Sequence, residues 1–208
     1  MKKLSKTALE LLAVVAVGLV MAFETKFHID TKTAVVCAVI TIAAAAALTA
    51  VLKNLAKRAK MKRYRSSTLA QIDAMDGKAF EQYLQAVFYG AGYHARLTPD
   101  SNDFGADLVF VSGHIRVVVQ AKRYQGAVGI AAVQQIIGAR YYYDADVAMV
   151  ITNSFYTPSA KKLAEAANVV LWDRNDLLMM TNDNISQKIQ ETISTYADAE
   201  KHKEKIAK

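Results

Sequence analysis

The 208-residue sequence contains one cysteine, Cys37, so no disulfide can form within the chain. A zinc site built from several cysteines is excluded for the same reason. The sequence also lacks the polar bias of a disordered chain, since 53% of its residues are apolar. Its length suits one ordinary domain, or one small domain with an appendage.

The positive charge of the chain is confined to its first third. The formal net charge is +7, which by itself suggests a nucleic-acid-binding protein. Residues 1–67 contain twelve basic and three acidic residues, a net charge of +9, and residues 68–208 carry −2. The basicity therefore belongs to the N-terminal segment and gives no direct indication of DNA binding by the remainder.

Two apolar runs in this segment predict a transmembrane hairpin with helices over about 7–23 and 33–52. Only Glu10 is charged in the first run, and the second run has no charged residue. Helices of these lengths span roughly 25 and 30 Å, close to the thickness of a bilayer core. A buried soluble hairpin is the alternative, but neither run has the polar face expected of one. A cleaved signal peptide is a further alternative for the first run, although no A-x-A site follows it.

The flanking charges predict the orientation of this hairpin. Three lysines precede the first run, seven basic residues lie in Lys53–Arg65 after the second, and the connecting loop contains only Lys26 and Lys32. The positive-inside rule then places both ends in the cytoplasm, as in a multi-pass protein of the inner (cytoplasmic) membrane. The Lys53–Arg65 run would contact anionic headgroups, with DNA contact as the alternative. We take residues 1–65 as the hairpin and its basic linker.

From Ser66 onward the pattern changes to an α/β alternation. The predicted order is helix, three strands beginning with a meander, helix, strand, helix and strand, which favours a mixed sheet flanked by helices on both faces. The predicted elements are a helix over Asp76–Tyr89, strands over Tyr93–Leu97, Asp107–Val111 and Ile115–Ala121, a helix over Val128–Tyr143, a strand over Val147–Ile151, a helix from Pro158 to about Ala167 and a strand over Val169–Trp172. We assign this domain to residues 66–182. Residues 183–208 are predicted to form an amphipathic, lysine-rich tail.

One predicted hairpin gathers residues suited to hydrolytic chemistry. Gln120 and Lys122 are two residues apart on a strand, so they point to the same face, and Asp107 begins the partner strand. Glu81 on the preceding helix is expected to reach them from the side. Asp107, Glu81, Gln120 and the Ala121 carbonyl would supply the oxygen ligands that Mg²⁺ prefers. Lys122 would hold the attacking water or stabilise the charge of a pentavalent phosphorane.

Each of these residues also has an ordinary structural interpretation. An aspartate at a strand start is usually a turn or cap residue, and Glu81 is more often a helix acid than a ligand. Gln120 and Lys122 alone would suit a solvated strand face. The apolar run Val117–Val119, which ends abruptly in Gln-Ala-Lys-Arg, favours a buried strand that emerges at a polar site.

The stretch from Asp76 to Leu177 resembles the Mrr-like restriction endonuclease domain of the PD-(D/E)XK nuclease superfamily. The matching pieces are MDGKAFEQYL at 75–84, GAGYHARLT at 90–98, DFGAD at 103–107, VVVQAKRY at 117–124, VQQIIGARYYYDAD at 133–146 and VITNSFYTPSAKKLAEAANVVLWDRNDL at 150–177. The resemblance implies that Asp107 is the metal-binding aspartate of D-x-G-x-D, that Gln120 and Lys122 form the Q-x-K element, and that Glu81 is the helix acid. Gln134 falls on a family position near the site. Asp103 would support Asp107 or only shape the turn.

The resemblance further implies a DNA endonuclease that hydrolyses phosphodiester bonds with Mg²⁺ or Mn²⁺, in restriction of foreign or modified DNA. The predicted hairpin, which departs from the familiar architecture of the family, would anchor this endonuclease to the membrane. No small-molecule cofactor is expected, and cleavage of both strands would suggest a homodimer. Arg123, Arg140 and Lys161 are the candidate DNA contacts. The alternative is a non-catalytic, nuclease-like module that holds DNA or a protein at the membrane, which the −2 charge of residues 68–208 favours.

Overall fold

The structure of the protein, a computed structural model, describes residues 18, 30–99, 104–179 and 185–206. The chain divides into two compact units, Met1–Ala59 and Lys60–Lys208. Apart from Gly18, which is helical, the first predicted membrane helix lies outside the described residues. The second unit contains the sheet and the candidate site.

A long helix, α1, extends over Thr31–Arg65. It contains the whole of the second apolar run, 33–52, and continues through the basic segment that the sequence suggested as a linker. The portion Val35–Arg65 includes a window of mean hydropathy 2.6 that is not buried in the structure, and it is long and apolar enough to cross a membrane. The hydroxyls of Thr41 and Thr49 donate to backbone carbonyls of their own helix, so they place no unsatisfied donor on its apolar surface.

The described residues of the second unit form a five-stranded mixed sheet in the order β1-β2-β3-β4-β5. Neighbouring strands are antiparallel from β1 to β3, and β4 and β5 run parallel to β3. The strands are β1 (Arg96–Leu97), β2 (Leu108–Ser112), β3 (Ile115–Lys122), β4 (Val147–Thr152) and β5 (Val169–Trp172). This topology confirms the predicted mixed sheet that begins with a meander.

Helices cover both faces of the sheet. They are α2 (Leu69–Asp73), α3 (Gly77–Gly90), α4 (Ile130–Tyr142), α5 (Pro158–Ala167), α6 (Arg174–Met179) and α7 (Ile185–Ile206). Side chains cap two of the predicted helices, since Asp76 accepts from Ala79 N at the start of α3 and Thr157 accepts from Ala160 N before Pro158 in α5. The short helices α2 and α6 were not predicted.

The alternation of β3 divides the interior into two cores. Val117 and Val119 pack in the core that contains α3 and α7, and Val118 packs on the opposite face against α4 and α5. The predicted tail helix joins the first of these cores, because Ile189 and Ile193 of α7 are completely buried in it. The apolar stripe of the tail is therefore part of the interior of the second unit.

Candidate active site

The start of β2 brings the carboxylate of Asp107 against the end of β3. The ladder pairs Leu108 with Val119. One residue earlier, the Asp107 N–H donates to the Val119 carbonyl at 2.9 Å, and the Ala121 N–H donates to Asp107 Oδ2 at 2.7 Å. The side chain of Asp107 thus takes the place of a ladder carbonyl and lies beside the backbone that joins Gln120 to Lys122.

Gln120 is a buried polar residue, and one of its two hydrogen-bonding groups has no partner among the described residues. Its side chain is on the α4 face of the sheet and the residue is only 3% exposed. Nε2 donates to Gln135 Oε1 at 2.8 Å, whereas Oε1 is buried and has no hydrogen-bond partner among the described residues. A buried acceptor without a partner costs about 1–3 kcal/mol. Such an atom is suited to a ligand that the protein alone does not contain.

The turn before Asp107 packs against Gln135 of α4. Gly105 has φ +90°, and a Cβ built on it would lie 2.9 Å from the backbone oxygen of Gln135. Phe104 beside it has φ 51°, which is unfavourable for an aromatic residue. Only glycine combines this conformation with so close an approach to a helix backbone. This packing holds the turn before Asp107 against Gln135, the residue that is hydrogen-bonded to Gln120.

Lys122 is the last residue of β3, and its side chain is partly buried. By strand alternation it shares the face of Gln120. Its carbonyl accepts a 2.6 Å hydrogen bond from the hydroxyl of Thr152, the fully buried last residue of β4. This contact holds the strand end, while the ammonium makes no hydrogen bond or ion pair within the described part of the chain.

The structure positions the remaining predicted site residues less directly. Glu81 is half-buried on α3, which covers the Val117 and Val119 face, opposite to the face of Gln120. Ala121 gives its N–H to Asp107, and the role of its carbonyl as a metal ligand stays a prediction. Asp103 lies outside the described residues.

Gln135, which the sequence did not single out, is hydrogen-bonded to Gln120, and it is exposed on α4 like the predicted Gln134. Helical periodicity contains a signal for this choice. Gln135 is three residues after Ala132 and four before Ala139, both of which are buried, so it lies at the edge of the stripe that faces the sheet. Gln134 lies outside that stripe.

The three candidate DNA contacts do not share one solvent-exposed surface. Arg140 is only 7% exposed, and its Nη1 donates to the Ala167 carbonyl at the end of α5 at 3.1 Å. Arg123 is half-buried and donates through Nη2 to the Asp73 carbonyl. Only Lys161, on α5, is exposed. Arg140 therefore serves helix packing, and Arg123 faces a polar cluster described next.

A polar cluster joins α2 to the carboxyl ends of β3, β4 and β5. Arg174 binds both carboxylate oxygens of Asp73 at 2.7 Å, and Asn153 Nδ2 donates to the same carboxylate at 2.9 Å. The Tyr124 N–H in turn donates to Asn153 Oδ1 at 2.8 Å. The hydrogen bonds from Arg174 hold the pKa of Asp73 below its ordinary value. Asp73 and Arg174 are 101 residues apart, so no local pattern could have revealed this pair.

A mixed sheet whose central hairpin ends in an aspartate, a buried glutamine and a lysine has the architecture of restriction endonuclease-like domains. The family model Mrr_cat, described as restriction endonuclease, matches residues 72–181, which is more than half of the chain. The chain therefore belongs to this family, and the resemblance stated from the sequence is confirmed.

Two solved restriction enzymes are similar to the chain in structure. One, the "DNA modification-dependent restriction endonuclease AspBHI", is 17% identical, with a TM-score of 0.43 over 71% of this chain and 40% of that one. Another, the "MspJI Restriction Endonuclease in Complex with 27-mer Oligonucleotide", is 18% identical, with a TM-score of 0.35 over 76% and 36%. The chain thus spans less than half the length of either enzyme. No curated protein matches the chain.

Proposed function

We propose that this protein is a membrane-anchored endonuclease that hydrolyses DNA phosphodiester bonds with a divalent cation. The observation that carries the proposal is the hairpin end where the Asp107 carboxylate, the unpartnered Oε1 of Gln120 and the ammonium of Lys122 belong to one short stretch of sheet. Membership of a restriction endonuclease family makes DNA the expected substrate, and restriction of foreign or modified DNA the expected role.

The donor set fits Mg²⁺ or Mn²⁺. Asp107 and the orphaned Gln120 oxygen would hold the ion, with Glu81 and the Ala121 carbonyl as the further predicted ligands. Across residues 30–99, 104–179 and 185–206, no group of three His, Cys, Asp or Glu side chains could hold a metal by itself. Mg²⁺ tolerates such a sparse set, because it usually takes one or two carboxylates and completes its shell with water and phosphate. The bound ion would neutralise charge on the phosphoryl oxygens.

Lys122 supplies the positive charge that the protein itself brings to the reaction. Hydrolysis requires water to attack phosphorus and a P–O bond to break, with negative charge accumulating on the non-bridging oxygens. A lysine ammonium acts on that charge as a compact point charge, and partial burial strengthens the interaction. Its other role in the proposal is to orient the attacking water.

The membrane anchor is the part of the proposal that depends on the N-terminal segment. Valine, isoleucine and leucine side chains of α1 are about half exposed or more, including Val39, Ile40 and Leu48, which favours a lipid environment over water. Together with the predicted helix over 7–23, α1 would form a hairpin with the N-terminus and the nuclease in the cytoplasm. A lysine-directed reagent that cannot cross membranes should then label Lys26 and Lys32 in intact cells but spare Lys53–Arg65.

Plasmid cleavage by the full chain in detergent tests the enzymatic proposal. The wild type should nick or linearise DNA with Mg²⁺ or Mn²⁺ and not with EDTA. Lys122→Ala should lower the rate on the order of 100-fold or more, since it removes a charge that acts on the transition state. Lys162→Ala, at an exposed site on α5, is the matched control. Equal cleavage by wild type and Lys122→Ala would refute the assignment, and DNA retention without any nicking would favour the non-catalytic binding module.

A further inference from the structure

A cavity of about 420 Å³ lies at the carboxyl ends of the three parallel strands. Its lining includes Asp73 from α2, Arg123 and Tyr124 after β3, Asn153 and Phe155 after β4, and Arg174 after β5. The volume is within the range of small-ligand sites. The carboxyl ends of parallel strands are the usual position for ligands in open α/β sheets. We refer to this space as the Arg123 cavity.

The Arg123 cavity directly adjoins the candidate active site. Lys122 ends β3, and Arg123 and Tyr124 are the next two residues of the chain. Consecutive Cα atoms are about 3.8 Å apart. A DNA strand whose phosphate lies at Lys122 would therefore present a neighbouring nucleotide to this cavity.

The charges around the Arg123 cavity do not balance. Two guanidinium groups approach a single carboxylate, and Arg174 occupies both oxygens of Asp73 at 2.7 Å. Arg123 reaches only the backbone carbonyl of Asp73, and its buried Nε has no partner among the described residues. Partly buried cations are normally paired with an anion. The excess of one positive charge makes the cavity suitable for one phosphodiester group.

Two aromatic rings at the same cavity add a second kind of contact. Tyr124 is 59% exposed and Phe155 is 48% exposed. Their backbones are fixed, since the Tyr124 N–H donates to Asn153 and the Phe155 carbonyl accepts from Val128 N at 2.8 Å. Exposed aromatic rings on a fixed backbone can serve as stacking platforms for nucleic-acid bases. An anion site beside such rings matches the two chemical parts of a nucleotide.

We propose that the Arg123 cavity binds one nucleotide of the substrate strand next to the scissile phosphate. Arg123 neutralises the phosphate of that nucleotide, and its base stacks on Tyr124 beside Phe155. The inference rests on the proposed nuclease function. It assigns the cavity to positioning of the DNA strand, so its residues act in binding and the hydrolytic groups of the hairpin remain separate from them.

Binding of a fluorescently labelled single-stranded DNA oligonucleotide, whose bases are free to stack, to the full chain in EDTA at several salt concentrations tests this assignment. Arg123→Gln should make the slope of log K against log salt about 0.7 less negative, since one phosphate contact is lost. Tyr124→Ala should weaken binding on the order of tenfold at every salt concentration, because it removes one stacked base. The matched controls are Arg96→Gln on the edge strand β1 and Tyr141→Ala on α4, both exposed sites that do not belong to the cavity lining.

The outcomes separate this inference from the function on which it rests. A wild type that neither binds nor cleaves DNA refutes both. A wild type that cleaves DNA, with Arg123→Gln and Tyr124→Ala behaving like their controls, overturns the cavity assignment alone. The fluorescence of Trp172, the single tryptophan, reports whether each variant is folded. If Arg123→Gln does not fold, Tyr124→Ala decides the result, because its exposed ring can be removed without touching the backbone hydrogen bond to Asn153.

Discussion

Replacement of Gln120 by methionine should stabilise the protein while abolishing its activity. Gln120 is buried at the end of a strand, and Oε1 has no partner among the described residues. Methionine has nearly the same length and volume and fills irregular apolar space well. The substitution therefore removes a polar group that the folded protein satisfies only in part, and it also removes a predicted metal ligand.

The magnitude follows from the hydrogen bonds of this one side chain. Removal of the buried, unpartnered oxygen relieves about 1–3 kcal/mol. Loss of the bond from Nε2 to Gln135 at 2.8 Å costs about 1 kcal/mol. Gln135 is exposed and can return its own oxygen to water. The free energy of unfolding should therefore rise by about 1 kcal/mol in the absence of metal.

Urea unfolding of the full chain in detergent, followed by Trp172 fluorescence, measures this change. Trp172 is buried in the second unit, so its signal reports the unfolding of that unit. Addition of Mg²⁺ should stabilise the wild type by mass action and leave Gln120→Met unaffected. Gln135→Ala is a control that should act in the opposite direction. It should lower the free energy of unfolding by about 1–2 kcal/mol, because it leaves Nε2 of Gln120 without its acceptor. A Gln120→Met protein less stable than the wild type in EDTA, or one that still cleaves DNA, would refute the reasoning.

Four further substitutions test the fold of the second unit by the same urea assay. Gly105→Ala should cost about 3 kcal/mol, through backbone strain and contact with the α4 backbone, whereas Gly113→Ala, with φ +63° and open space around it, should cost about 1 kcal/mol. Ile193→Ala should cost about 2–5 kcal/mol if α7 belongs to the core, and a loss below 1 kcal/mol would contradict that packing. Asp73→Asn should destabilise at pH 7, because the Arg174 hydrogen bonds lower the pKa of Asp73 from 3.8. Because the pKa of Asp73 is lower in the folded than in the unfolded state, its contribution to stability is present above the unfolded-state pKa and is lost as the pH falls through the folded-state pKa. The difference in the free energy of unfolding between the wild type and Asp73→Asn should therefore shrink below about pH 4.

Most of the fold of the second unit could be predicted from the sequence because its elements are long enough to show a period. The strands β2 to β5 and the helices α3, α4 and α5 lie within a few residues of their predicted bounds. The helices α2 and α6 have five and six residues, which is too short for the periodicity of apolar residues to appear. They depend on contacts made by the folded chain, such as the Asp73–Arg174 pair.

For the candidate site, the sequence predicted the hairpin that unites Asp107, Gln120 and Lys122, because strand alternation and a short turn determine that geometry. The choice of Gln135 over Gln134 was missed, although the apolar positions Ala132 and Ala139 contain a signal for it, because it requires the helix phase to within one residue. The sequence also could not predict that the side chain of Arg123 is half-buried, because the charge of an arginine alone favours exposure to solvent. Its partner carbonyl belongs to a helix 50 residues earlier in the chain.

Several departures from local preference lie close to one another at the candidate site, and this proximity is an argument for function. Phe104 and Gly105 have positive φ values directly before Asp107, and Gln120 occupies a strand position where an apolar residue would be more stable. Selection for stability alone would remove the positive φ of Phe104 and the unpartnered oxygen of Gln120, since each costs about 1–3 kcal/mol. Gly105 packs against the backbone of Gln135, and Gln120 is hydrogen-bonded to the side chain of the same residue. In the proposal these features serve the binding of a ligand at the site. Substitutions that remove the strain at Phe104 or the unpartnered oxygen of Gln120 should therefore raise the stability of the protein and reduce DNA cleavage together.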